Sequence, residues 1–165
     1  MTLATHAAVG AIIASRFPSH PITAFCLAFV SHFVLDTIPH KDYELGSLSR
    51  SHDNDAMKTR VRMNAIFRQD LLKVGLDVLI GFVVALFLLY GRMPLFTMAV
   101  GIAGAILPDF LQFLYFGLRT QPLVILEQIH VWFHTKNRME NKAALSFVSQ
   151  AVLVALCYLV LRYLG

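Results

Sequence analysis

The chain has 165 residues, of which 57% are hydrophobic and 15% are charged, and its formal net charge is +4. Soluble domains usually carry about 25% charged residues, so this composition excludes an ordinary water-soluble domain and predicts an integral membrane protein. Cys26 and Cys157 both lie inside apolar runs, which favours packing over a disulfide or a thiolate metal site. No basic segment precedes the first apolar run, so we expect that run to remain in the mature protein.

Five apolar segments predict helices, at residues 3–17, 22–38, 71–90, 94–118 and 143–164. A membrane span needs about 20 residues, so the last three segments are long enough, the second is marginal and the first is short. Residues 120–142 begin with an apolar stretch too short to span, which predicts an interfacial helix before the last span. The expected fold is therefore all-α: one membrane-embedded helical bundle over residues 1–165.

The basic residues are unevenly divided between the two sides of a five-helix topology. Of the 14 Lys and Arg residues, only Arg16, Arg92 and Arg162 fall on the side opposite the N-terminus. The positive-inside rule places the cation-rich side in the cytoplasm. We therefore expect a multi-pass protein of the inner (plasma) membrane with a cytoplasmic N-terminus.

Most of the unusual polar residues fall at that same cytoplasmic end. They are His6, His32, Asp36, His40, Asp70, Asp77, Asp109, Glu127, His130 and His134. His32 and Asp36 are four residues apart and share a helical face, and Pro39 ends that helix just before His40. An antiparallel bundle would bring the whole set together.

Acidic residues inside membrane helices need a counter-charge, because each costs about 2.5–3.5 kcal/mol on insertion scales. Lys73 lies four residues before Asp77, so a salt bridge between them is as reasonable an interpretation as a metal ligand. No Lys or Arg lies near enough in sequence to pair with Asp36 or Asp109. Divalent metal ions would neutralise the set, and mixed His and Asp ligands suit zinc, manganese or iron. We expect two or more ions.

Simpler interpretations of these residues remain open. His32 and Asp36 can form a local hydrogen-bonded pair, and His130 and His134 can lie at the membrane interface without binding metal. Three polar residues of the 41–70 loop are interpreted as solvated: His52, Asp53 and Asp55.

The segments THAAVG, SHFVLDTIPHKD and GAILPD resemble the small membrane proteins called YdjM-like, a family of LexA-binding, inner-membrane-associated, metal-dependent hydrolases. The chain is more distantly similar to the zinc-dependent phospholipase C and single-strand nuclease superfamily. In that superfamily a histidine, an aspartate four residues later, a proline and a second histidine supply ligands to a multinuclear zinc centre. The resemblance implies these ligands: His6, His32, Asp36, His40, Asp109 and either His130 or His134.

These residues favour a membrane-embedded hydrolase of phosphate esters, with Asp36 as the carboxylate that bridges two metal ions. Asp42 or Glu127 would act as the general base or orient a ligand histidine. The expected substrate is a lipid or another amphiphile at the cytoplasmic face, and the expected partner is the bilayer.

The alternative is a metal-binding membrane protein without catalysis, such as a carrier or a regulatory partner. Ligands crowded at one end argue against transport, which favours a site near the midplane. A histidine-nucleophile lipid phosphatase would need Lys/Arg and PSGH-like motifs, which the sequence lacks. Nucleic-acid binding is not expected, because the cations follow the predicted topology and form no patch interleaved with aromatic residues.

Overall fold

The computed structural model describes residues 1–42, 44–49, 59–134, 139 and 142–163. These residues form six helices, α1 (Leu3–Ala14), α2 (Pro21–Asp36), α3 (Ala65–Leu89), α4 (Leu95–Leu118), α5 (Gln121–Phe133) and α6 (Ala143–Tyr163). Two short strands, β1 (Leu48–Ser49) and β2 (Arg60–Val61), pair antiparallel between α2 and α3. The all-α prediction is confirmed. The solvated interpretation of His52, Asp53 and Asp55 falls outside the described residues.

Three helices, α3, α4 and α6, are long and apolar enough to cross a membrane, which indicates a membrane protein. Helix α3 begins at Ala65, earlier than the predicted residue 71, because the Asn64 side chain caps it by accepting the N–H of Phe67. Helix α1 ends at Ala14, before the predicted residue 17.

Helix α1 is the central helix of the bundle. It packs against α2, α3, α4 and α6, and its apolar residues are almost completely buried, for example Ala7, Ala11 and Ile12. Because other helices surround it, α1 does not have to match the thickness of a bilayer. A helix too short to cross a membrane can therefore lie inside this bundle.

Small residues allow the helix backbones to approach closely around α1. A Cβ atom added at Gly10 would lie 2.6 Å from the Gly101 carbonyl oxygen, where α1 meets α4. One added at Gly81 would lie 2.8 Å from the backbone of Ala4, where α3 meets α1. Side chains at these positions would separate the helices, so glycine sets the spacing.

A buried polar network joins the start of α1 to α6. The Gln150 side-chain oxygen accepts the backbone N–H and the hydroxyl of Thr2 and the hydroxyl of Thr5, at 2.9 to 3.1 Å. The Gln150 amide donates to the Ser146 hydroxyl, which also accepts the backbone N–H of Lys41. The network fixes the start of α1 and the segment after α2 relative to each other.

Helix α5 folds back along the second half of α4. Gln112 of α4 pairs with Glu127 of α5. Asp109, three residues before Gln112, pairs with His130, three residues after Glu127. The paired residues follow each other in opposite sequence order on the two helices, so α4 and α5 are antiparallel. Helix α4 continues for nine residues beyond Asp109 to Leu118, about 14 Å at 1.5 Å per residue. The polar residues on α4 and α5 are therefore set back from the end of the bundle.

Candidate metal centre

The structure gathers eight of the predicted site residues around the carboxylate of Asp36. They come from α1, the end of α2 and the segment after it, α4, and α5: His6, His32, Asp36, His40, Asp42, Asp109, His130 and His134. Four of the side chains are at most 1% exposed, namely His6, His32, Asp36 and His40. Seven of the eight predicted metal ligands therefore lie together in this cluster.

The first group that can hold a metal ion consists of His32, Asp36, Asp109 and His130, with one ligand atom from each within 4.8 Å of the others. His32 Nε2 lies 3.1 Å from Asp36 Oδ2, and His130 Nε2 lies 3.3 Å from the same oxygen. Both nitrogens lie 3.6 Å from Asp109 Oδ1. Ligands bonded at about 2.0–2.1 Å to a tetrahedral ion stand about 3.3 Å apart, so these separations match the size of a metal site.

The second group consists of Asp36, His40 and His134, again within 4.8 Å of one another. Asp42 lies beside it, with Oδ1 3.0 Å from His40 Nε2 and Oδ2 3.5 Å from His134 Nε2. The α-amino group of Met1 lies against the same atoms, 2.7 Å from His40 Nε2 and 2.8 Å from Asp42 Oδ1. Asp42 therefore faces the second group directly and is placed to bind or orient what it holds.

Asp36 belongs to both groups, and its two oxygens face different histidines. Oδ2 faces His32 and His130 of the first group. Oδ1 faces His40 of the second group at 3.9 Å, His6 at 3.2 Å and the α-amino group of Met1 at 3.3 Å. A carboxylate with one oxygen directed to each of two adjacent sites is the arrangement that bridges a pair of ions.

The backbone fixes the protonation of two ring nitrogens. His32 Nδ1 lies 2.7 Å from the Ala105 carbonyl oxygen, and His40 Nδ1 lies 2.7 Å from the Ile38 carbonyl oxygen. A carbonyl can only accept, so in each ring Nδ1–H donates, and Nε2 is the nitrogen left to bind a metal ion. Pro108, three residues after Ala105, lies inside α4 and has no N–H to donate within the helix.

Several buried nitrogens have no hydrogen-bond partner among the described residues. They are both ring nitrogens of His6, Nε2 of His32 and Nδ1 of His130. His6 also stacks on His32, with ring centroids 4.0 Å apart. Two of these atoms, His6 Nε2 and His32 Nε2, lie 3.2 and 3.1 Å from oxygens of Asp36. An unsatisfied buried polar atom costs about 1–3 kcal/mol, so nitrogens held beside a carboxylate fit a site that receives a cation. The donor set of imidazoles and carboxylates fits divalent transition metals.

Two groups outside the membrane-spanning helices have strongly shifted pKa values. Burial would raise the pKa of Asp42, but its contact with His40 and the positive charge of the N-terminal amine hold that pKa well below the usual range. Burial raises the pKa of Glu127 to about 7, although the Gln112 amide donates to both of its carboxylate oxygens at 3.1 and 3.2 Å. Glu127 can therefore exchange a proton near neutral pH.

One predicted metal ligand lies elsewhere. Asp77 accepts the backbone N–H of Leu3 at 2.6 Å and lies outside both metal groups of the described residues. Lys73, its predicted salt-bridge partner, instead lies 3.1 Å from Asp70. A carboxylate at the first turn of a helix is stabilised by the helix dipole, so Asp77 supports the start of α1.

Sequence reasoning missed two contributors to the site. Gln112 is the hydrogen-bond partner of Glu127, and the Ala105 carbonyl orients His32. Gln112 had a usable signal, because a glutamine three residues after Asp109 in an apolar helix needs a partner. A backbone carbonyl leaves no signal in the sequence.

Comparison with known proteins gives no match: no protein-family model, no curated protein and no solved structure matches the chain significantly. The resemblance to the YdjM-like family therefore stays a prediction. The fold and the site define a class of protein. It is an all-helical chain with three helices able to cross a membrane and a buried His/Asp cluster able to hold a metal ion.

Proposed function

We propose that the chain is a membrane-embedded, metal-dependent hydrolase of phosphate esters. The observation that carries this proposal is the position of Asp36, which is shared by two groups of ligands and directs one oxygen to each. Two divalent ions, most simply zinc, would lower the pKa of a water molecule and neutralise the oxygens of a phosphoryl group. A single structural ion would need only one set of protein ligands, whereas the chain offers two adjacent sets.

The residues of the chain have distinct roles in this proposal. His32, Asp109 and His130 would hold the first ion, His40 and His134 would hold the second, and Asp36 would belong to both ligand sets. His6 lies against the bridging carboxylate at 3.2 Å and supports it. Asp42 faces the second position, where it lies 3.0 Å from His40 Nε2 and 3.5 Å from His134 Nε2, and would bind the ion held there or its water.

Glu127 is the proposed proton acceptor. Burial brings its pKa to about 7, which suits a group that takes up and releases a proton at neutral pH. Its side chain is 1% exposed, and its helix also carries His130 of the first position, one turn away. Gln112 holds the carboxylate in place through its two hydrogen bonds.

The substrate and its location belong to the same proposal. A site built into a membrane protein is suited to an amphiphile whose apolar part stays in the bilayer and whose phosphate reaches the ligands. The excess of Lys and Arg on the side of the N-terminus supports an inner-membrane protein with that side in the cytoplasm. The bilayer is its partner.

The test is metal analysis together with an activity assay on reconstituted protein. Wild-type protein supplied with Zn²⁺ or Mn²⁺ should bind metal and hydrolyse phosphate monoesters or diesters. Asp36→Ala should abolish both, whereas His20→Ala, at the start of α2, should change neither. Turnover that survives Asp36→Ala would refute the catalytic role of the cluster. Metal binding without turnover of lipid or water-soluble phosphates would favour the non-catalytic alternative.

A further inference from the structure

A basic surface lies where the β1–β2 hairpin meets the start of α3. It is made of three exposed arginines: Arg60, Arg62 and Arg68. The structure describes every residue of the stretch 59–73, in which the one acidic residue is Asp70. Asp70 is buried, accepts the backbone N–H of Ser47 at 2.7 Å and pairs with Lys73. The stretch therefore presents an excess of positive charge to its surroundings.

Hydrogen bonds to two helices hold the hairpin in place. The Ser47 backbone N–H donates to the Asp70 carboxylate of α3, and the Ser47 carbonyl accepts the backbone N–H of Arg62. The guanidinium of Arg119, the residue after α4, donates to the Thr59 carbonyl just before β2. The arginines of the hairpin are therefore held beside the start of α3.

The position of the basic surface along α3 matches the head-group layer of a bilayer. Helix α3 can cross a membrane and ends at Leu89. The next residue, Tyr90, is 85% exposed, and exposed aromatic residues are typical of the membrane interface. Leu72 lies about 26 Å before Leu89 along the helix, and Arg68 lies about 32 Å before it. The hydrocarbon core is about 30 Å thick, so Leu72 falls inside it and Arg68 just outside it.

Exposed apolar side chains accompany the arginines. Met63 and Ile66 are 74% and 44% exposed, and Leu71 and Leu72 are 59% and 68% exposed. Arg68 and Leu72 are four residues apart and share a face of α3. A phospholipid can therefore place its phosphate at Arg68 and its acyl chains along Leu72, whereas a water-soluble anion would leave the apolar side chains unused.

We propose that this basic surface binds the head groups of anionic phospholipids. Arginine donates paired hydrogen bonds to phosphate, and basic residues clustered next to a membrane helix attract lipids with a net negative charge. Phosphatidylcholine also has a phosphate, but its choline cancels the charge. The surface should therefore select anionic lipids over phosphatidylcholine. This inference goes beyond the proposed hydrolase, because it requires neither a bound metal ion nor turnover.

Fluorescence quenching by brominated lipids tests the proposal in a bilayer. The chain has one tryptophan, so Trp132→Phe provides a silent background. Leu72→Trp places a reporter one turn from Arg68, and Phe87→Trp places a matched reporter at the other end of α3, where Phe87 is 85% exposed. The whole chain is reconstituted in phosphatidylcholine vesicles. An equal fraction of the lipid is then replaced by brominated phosphatidylglycerol or by brominated phosphatidylcholine.

At low ionic strength, brominated phosphatidylglycerol should quench Leu72→Trp with a relative affinity roughly fivefold or more above that of brominated phosphatidylcholine. The two lipids should quench Phe87→Trp nearly equally. Salt at 1 M should remove most of the preference at Leu72→Trp, because it shortens the Debye length to about 3 Å. Equal quenching of Leu72→Trp by the two lipids, or the same preference at both reporters, would overturn the proposal.

Two matched sets of substitutions assign the preference to the basic surface. Glutamine at all three of its positions (Arg60→Gln, Arg62→Gln and Arg68→Gln) should bring the relative affinity at Leu72→Trp to about one. Glutamine at three exposed arginines on other segments (Arg16→Gln, Arg92→Gln and Arg162→Gln) should leave it unchanged. A preference that survives the first set, or that is lost equally in both, would overturn the assignment.

Discussion

Replacing Gly10 by alanine should destabilise the bundle at the point where α1 crosses α4. The added Cβ would lie 2.5 Å from the Cβ of Ala105 and 2.6 Å from the carbonyl oxygen of Gly101. Neither neighbour is the end of a flexible side chain, so the two helices would have to separate. Overpacking of this kind costs about 1–3 kcal/mol. For a chain of this length the midpoint of thermal unfolding would fall by about 2–12 °C.

The same substitution should also lower the metal affinity of the candidate centre. The Ala105 carbonyl accepts the N–H of His32 at 2.7 Å, so a shift of α4 at Ala105 changes the orientation of a first-group ligand. Second-sphere partners of metal ligands are worth about 10–100-fold in metal affinity. The assay measures thermal unfolding in detergent and zinc affinity on the same preparations.

Gly75→Ala is the matched control, because nothing lies within 4 Å of a Cβ added at Gly75 on α3. Alanine favours a helix over glycine by about 0.5–1 kcal/mol, so this variant should be as stable as wild type or slightly more stable. Equal stability of the two variants would refute the close approach of α1 and α4. Destabilisation of Gly10→Ala with unchanged zinc affinity would refute the coupling through Ala105.

Three further predictions concern the site. His32→Ala should lose most of the bound metal while His20→Ala keeps it, as measured by metal analysis of chelator-free preparations; equal metal content would exclude His32 as a ligand. Asp77→Ala should cost about 0.5–2 kcal/mol of stability, because Asp77 accepts the N–H of Leu3, yet bind metal normally; a lost ion would restore its predicted role as a ligand. Because burial raises the pKa of Glu127 to about 7 and a general base acts when deprotonated, kcat/KM should rise with pH through 7. Glu127→Gln should remove that rise along with most of the activity, and a pH profile unchanged by this substitution would assign the proton transfer elsewhere.

The His/Asp cluster was largely predictable because its residues are conspicuous in an apolar chain. Asp36 and Asp109 would be costly if unpaired in an apolar helix, and no Lys or Arg lies within four residues of either. The spacing of His32 and Asp36 placed both on one face of α2, as the structure has them. The Asp77 prediction used the same argument, but an acidic residue can equally be satisfied by the start of a neighbouring helix.

By itself, the sequence determined the helical class, the three helices able to cross a membrane and the identity of most cluster residues, because composition and periodicity act locally along the chain. Only the tertiary structure decided that α1 is the central helix, that α5 folds back along α4, and that the two oxygens of Asp36 face different histidines. These features depend on how closely helices approach at glycines such as Gly10 and Gly81. Such approach is a property of pairs of segments distant in sequence, and no single segment encodes its partner.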